Sequence, residues 1–189
     1  MSIAEVVGAA RGHFRYESGH HGDLWLDLDR LLADARRTRE WSAELARLAA
    51  DVRPDVVCGP LTGGAFVAQF VAAELGAAFV FAERSVMDGE ARYRVPDALR
   101  PLVRGRRVLL VDDAVNAGSA LLATLADVRA AGGEAGGFAS LLALGDAAAR
   151  IGAAHALPFI ALASLPREMW SPRECPLCAA GTPLVDNVP

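Results

Sequence analysis

Two adjacent carboxylates, Asp112 and Asp113, are followed closely by the amide of Asn116 and the hydroxyl of Ser119 in the run V-L-L-V-D-D-A-V-N-A-G-S-A, Val108 to Ala120. Carboxylates accept hydrogen bonds from hydroxyl groups. Small residues around a glycine, here Asn116, Ala117, Gly118, Ser119 and Ala120, let backbone N–H groups close on an anion. The order suits a phosphorylated sugar. Its phosphate would lie on Asn116 to Ala120 and its hydroxyls on Asp112 and Asp113, directly or through metal-bound water. A plainer reading is that Asp113, Asn116 or Ser119 only caps a helix.

Placing such groups takes a strand that ends at the acids and a helix that starts behind the phosphate. The apolar run Val108 to Val111, preceded by the charged turn Arg104 to Arg107, predicts a buried parallel strand. Leu121, Leu122, Leu125 and Val128 supply the helical spacing that follows. The segment V-V-C-G-P-L-T-G-G, Val56 to Gly64, repeats the pattern of strand, glycine turn and helix. Its glycines permit close backbone approach to a ligand, or serve only a tight turn. Around these lie predicted helices at Ile3–Ala10, Arg36–Asp51 and Ala147–Gly152, and predicted strands at Ala78–Ala82, Gly137–Leu144 and Phe159–Ala163. The polar stretch Ser85 to Asp97, with Gly89 and Pro96, reads as an exposed mobile loop or hairpin. Strands alternating with helices predict an α/β protein with a parallel sheet and a ligand at the carboxyl ends of its strands.

The acid pair, small residues and hydroxyl behind an apolar strand resemble the phosphoribosyl pyrophosphate motif of the type I phosphoribosyltransferases. Leu61-Thr62-Gly63-Gly64 and F-V-F-A-E-R, Phe79 to Arg84, resemble segments of the orotate phosphoribosyltransferases, the first being their pyrophosphate loop. The run Gly12 to Gly19 with Leu24 to Leu28 is similar to the part that covers the base, and Pro172 to Cys178 with Gly181 and Pro183 to the tail of one branch. The resemblance implies a single domain with the type I fold: a mostly parallel sheet flanked by helices (about 36–163), a hood (about 10–30 and 165–189) and a mobile loop (about 85–97). It also implies transfer of ribose 5-phosphate to a nucleobase with release of pyrophosphate, in cytoplasmic pyrimidine nucleotide synthesis. Mg²⁺ and a homodimer in which each mobile loop covers the partner's site are implied with it. Asp112, Asp113 and Arg84 would then be catalytic. Leu61, Thr62, Gly63 and Gly64 would meet the pyrophosphate, Asn116 to Ala120 the 5′-phosphate, and Arg92 and Arg94 the substrate from the loop.

Two departures bear on chemistry. All basic residues besides histidine are arginine, with no lysine. Arginine binds phosphate well but does not transfer protons easily, and Arg92 and Arg94 could equally form a solvated face. Orotate enzymes carry an Asp-Arg pair at the end of the strand after the motif helix, where this chain has Ala143 and Leu144. A carboxylate-bearing base would lack a cation there, unless Arg15 or Arg150 supplied it. An uncharged base, or a binding protein without turnover, is the alternative expectation.

Cys175 and Cys178 form a C-x-x-C, half of a tetrahedral Zn²⁺ site that His13, His20 or His21 would complete if the tail folds back. A reduced pair or labile disulfide is the other reading. Cys58 reads as a small core residue. A net charge of −4 argues against a dedicated nucleic-acid binder. No apolar run is long enough to span a bilayer, since Gln69, Glu74 and Gly76 interrupt Ala65 to Phe81. The start lacks a signal-peptide pattern, so a soluble intracellular protein is expected.

Overall fold

The computed structural model describes residues 1–16, 18–87 and 90–186. Glu17 of the base-covering run, residues 88–89 of the loop and 187–189 of the tail lie outside the described residues. In chain order the elements are α1 (Ile3–Val6), β1 (Ala10–Arg15), β2 (His21–Trp25), α2 (Ala35–Ala49), β3 (Val56–Pro60), α3 (Gly63–Leu75), β4 (Ala78–Met87) and β5 (Glu90–Arg94). They continue as α4 (Arg100–Val103), β6 (Arg107–Val115), α5 (Ser119–Ala130), β7 (Glu134–Leu144), α6 (Ala147–His155), β8 (Phe159–Leu165), β9 (Met169–Trp170) and α7 (Pro176–Ala179).

The large sheet has the order β5-β4-β3-β6-β7-β8, parallel except for β5, which runs antiparallel to β4. Side-chain alternation divides its core between two faces. Leu109 and Val111 of β6 pack with Leu45, Ala46, Val67 and Val71 of α2 and α3. Val108 and Leu110 pack on the opposite face with Leu121, Leu125 and Val128 of α5 and Ile151 of α6. The strands are therefore apolar almost throughout, as a sheet covered on both faces requires.

Two predicted elements differ from the structure, and the segment expected as a loop or hairpin takes the second form. The first helix ends at Val6: the Ser2–Glu5 capping box starts it, Gly8 takes a left-handed φ of 58°, and β1 begins at Ala10. Ser85 to Asp97 is largely a β-hairpin, with Arg84 opposite Tyr93 and Ser85 opposite Arg92. Its exit is anchored by Asp127 of α5, which accepts a 2.8 Å hydrogen bond from the Val95 N–H and pairs with Arg100 at 3.1 Å. Phe159–Leu165 is not the last strand, because β9 pairs with β2 and completes a small antiparallel sheet, β1-β2-β9. That sheet joins residues 10–25 to Met169–Trp170.

Candidate active site

β6 carries Asp112 and Asp113 within its last turns of extended chain, with Asp112 opposite Ser140 of β7. Asp112 is buried, and Asp113 is half-buried. The Asp112 Oδ1 accepts the Asp113 N–H at 3.1 Å, and Asp113 Oδ1 accepts the Ala114 N–H at 2.8 Å. Burial, and then the neighbouring Asp113 charge, push the Asp112 carboxyl well above its ordinary range. The pair is therefore asymmetric: a buried acid that favours its proton, and beside it a half-buried one.

The two glycine loops meet at these acids. Gly63 and Gly64 open α3, and a Cβ on Gly63 would strike the Asp113 Oδ2, while one on Gly64 would sit 2.6 Å from Asp112 Oδ1. Only glycine at both positions lets the α3 terminus lie against the carboxylates. Leu61 donates its N–H to the Ala82 carbonyl at 2.9 Å, and Thr62 stands exposed at the helix cap without a side-chain cap hydrogen bond. α5 begins likewise. Gly118 caps it with φ 79° and without a side-chain cap hydrogen bond among the described residues, and the close Ile151 side chain leaves no room for a Cβ. Asp113, Asn116 and Ser119 therefore do not cap α5, so the plainer reading of these residues fails. Two helix N-termini open beside the same acid pair, and each is fit to hold an anion.

Asn116 and Ala117, with Leu144 and Arg150, line a cavity of about 510 Å³, and Asn116, Leu144, Trp25 and Tyr16 line a second of about 350 Å³. Ser119 is exposed at the first position of α5, with Ala120 half-buried beside it. Arg167, between β8 and β9, and Met169 of β9 line both cavities. Arg167 corrects the expectation that this pocket lacks a cation: it shares both cavities with Leu144, and its buried Nε has no hydrogen-bond partner among the described residues. Arg15, by contrast, pairs with Asp186 at 3.0 Å and lines neither cavity. Sequence reasoning missed Arg167 because it follows the predicted last strand. Its one local signal is the Pro166-Arg167 turn next to a tryptophan-containing segment.

Arg84 is exposed on β4, and Arg92 and Arg94 are exposed on β5. Arg94 pairs with Asp97 at 2.6 Å. Cys58 is a core residue whose thiol burial pushes up to about 12. Cys175 and Cys178 lie beside His13 and His21, and His20 is exposed and stands apart from that group. Among the described residues no helix is long and apolar enough to cross a membrane.

A family model described as a phosphoribosyl transferase domain matches residues 25–154. The orotate phosphoribosyltransferase of Caldanaerobacter subterraneus subsp. tengcongensis is 33% identical over 183 residues, covering 96% of this chain and 90% of that protein. The orotate phosphoribosyltransferase of Mycobacterium tuberculosis in complex with inorganic phosphate is similar in structure, with a TM-score of 0.65 and 26% identity over 86% of this chain and 94% of that one. The same enzyme in complex with 5-phospho-α-D-ribosyl 1-diphosphate matches with a TM-score of 0.60 and 25% identity over 74% and 80% of the two chains. Matched over most of its length and folded around the same kind of parallel sheet, the chain belongs to the phosphoribosyl transferase family and is a phosphoribosyltransferase with an orotate phosphoribosyltransferase-like sequence.

Proposed function

We propose that this protein transfers ribose 5-phosphate from phosphoribosyl pyrophosphate to orotate, releasing pyrophosphate, as a cytoplasmic homodimer. The observation that carries this reading is the close approach of Gly63 and Gly64, at the start of α3, to Asp113 and Asp112 on the strand that leads into α5. A substrate with a phosphate at each end of a ribose fits that arrangement. Asn116 to Ala120 hold the 5′-phosphate, Leu61 to Gly64 hold the pyrophosphate, and Asp113 accepts the ribose hydroxyls. Asp112 supports Asp113 from behind through the Asp113 N–H.

Displacement at the anomeric carbon builds positive charge on the sugar and negative charge on the leaving group, so positioning and charge supply most of the catalysis. Asp113 lies on the sugar side, and Arg84, Arg92 and Arg94 are the cations for the pyrophosphate. Mg²⁺ suits the all-oxygen donors of Asp113 and the substrate, and when bound would neutralise charge on the leaving group. The base enters between Tyr16, Trp25 and Leu144, with Arg167 facing its carboxylate as a charge-assisted partner.

Dimerisation is supported by the exposed Phe66 on α3, which with Leu32 and Phe70 lines an apolar groove. The exposed Arg84, Arg92 and Arg94 of the β4–β5 hairpin would serve the partner's site. Three unpaired cysteines suit a reducing compartment. A second reading, transfer to an uncharged base, draws on the apolar Leu144 and Trp25. Pyrophosphate release with phosphoribosyl pyrophosphate and a panel of bases separates the two: orotate is expected to be the preferred substrate. Turnover confined to uncharged bases selects the second reading, and no turnover with any base defeats both.

A further inference from the structure

Four side chains that the proposed transfer does not use converge within the hood. His13 Nε2 lies 3.2 Å from His21 Nδ1 and 3.3 Å from Cys175 Sγ. Cys178 Sγ lies 3.6 Å from His13 Nε2 and 3.3 Å from His21 Nδ1, and all four atoms fall within 4.8 Å of one another. None of the four lines either cavity. We propose that they bind one Zn²⁺ ion, and that the ion fastens the C-terminal segment to the sheet that covers the base.

The geometry suits that ion. Zn–S bonds of about 2.3 Å and Zn–N bonds of about 2.0–2.1 Å place the atoms of a tetrahedral site roughly 3.3–3.8 Å apart, close to the four separations above. Two thiolates and two neutral imidazoles balance the charge of the cation, and a soft sulfur and nitrogen set selects zinc over magnesium or calcium. His13 Nδ1 stands 2.9 Å from the Thr182 carbonyl and so carries the proton, leaving the Nε2 lone pair aimed into the cluster. One lone pair cannot satisfy an imidazole nitrogen and two sulfurs by hydrogen bonding alone, whereas one metal ion satisfies all of them. Cys178 is exposed and gives the ion a route in.

The position defines the role. His13 and His21 sit on paired strands, and Cys175 and Cys178 flank the start of α7. Beyond them the tail returns to β1, where the Val185 N–H donates to the His13 carbonyl at 2.8 Å and the Arg15 N–H to the Val185 carbonyl at 3.1 Å. These two hydrogen bonds make a short seam, and a metal crosslink strengthens it. The same β1-β2 pair leads into Tyr16 and Trp25 at the base cavity, so the ion stiffens the cover over the base without touching substrate.

Metal content of the purified full chain, followed by cobalt(II) exchange, tests this. The expected result is one zinc per chain and, with cobalt, a tetrahedral visible spectrum with thiolate charge-transfer bands. Cys178→Ser should lower zinc affinity by more than the roughly 10–100-fold that loss of an outer partner costs. Should that variant fold poorly, chelation of the unmodified protein gives the answer independently. A strong chelator should make Cys175 and Cys178 reactive to a thiol reagent and lower the melting temperature, and added zinc should reverse both effects. Freely reactive thiols with no bound metal, or a Cys175–Cys178 disulfide in protein purified without oxidant, would overturn the proposal. Neither outcome bears on whether the protein transfers ribose 5-phosphate.

Discussion

The guanidinium of Arg167 lies 5.6 Å from the ring centre of Tyr16, at the wall of the cavity that both share with Leu144 and Trp25, with its Nε buried and unpaired among the described residues. A buried donor without a partner is costly unless a ligand completes it. Arg167→Leu should therefore raise KM for orotate by roughly ten- to a hundredfold, the equivalent of about 1.5–3 kcal/mol for a charge-assisted hydrogen bond. KM for phosphoribosyl pyrophosphate should move little. Steady-state kinetics with each substrate varied in turn checks this, and equal losses for both substrates would place Arg167 elsewhere in the mechanism.

Gly63→Ala separates stability from function. Alanine is the better helix former by roughly 1 kcal/mol, but its Cβ meets the Asp113 carboxylate. The variant should melt within a few degrees of the unmodified protein and lose at least about tenfold in kcat/KM, because Asp113 must swing away from the α3 terminus. Paired melting and kinetic measurements read both effects.

Asp112 sets a pH dependence with a definite sign. Its folded-state pKa is raised, so below the ordinary carboxylate range the folded and unfolded chains both hold the proton and the group costs nothing. As pH rises towards the folded-state value, the unfolded chain binds fewer protons than the folded one, and stability falls. Asp112→Asn keeps an oxygen for the Asp113 N–H but cannot ionise. Its melting temperature should match the unmodified protein below the ordinary carboxylate range and exceed it increasingly as pH rises above that range, by about 2–4 °C for each 1 kcal/mol recovered. A constant offset across pH would contradict this.

The hairpin arginines are tested by mixing inactive proteins. If Arg84, Arg92 and Arg94 act on a partner's site, a variant lacking all three, mixed with Asp113→Asn under conditions of subunit exchange, should recover about a quarter of full activity, the share of intact composite sites from random pairing. No recovery from dimers shown to exchange would assign these arginines to their own subunit.

Legibility in the sequence followed locality. Val108 to Ala120 could be read as strand, acids, loop and helix because every part is contiguous and strongly patterned, and β6 and α5 lie there. The acids' asymmetry could not be read, since it depends on how deeply β6 sits between β3 and β7. Arg167 was hidden for the same reason: it reaches the cavity only through the fold of the chain between β8 and β9. His13, His21 and the two cysteines were each visible, but choosing His21 over His20 required the pleat of β2. Gly8 shows the opposite failure, where turn chemistry outweighed a weak helical pattern.

The central claim is that Asp113, between the two glycine loops, holds the ribose of phosphoribosyl pyrophosphate. Calorimetric titration of this substrate into the unmodified protein and into Asp113→Asn tests it most directly. The unmodified protein should bind saturably and the variant at least about tenfold more weakly, as expected for loss of a charge-assisted hydrogen bond, with the variant still folded by its melting curve. Equal affinity for the two proteins, or no binding to the unmodified one, would contradict it.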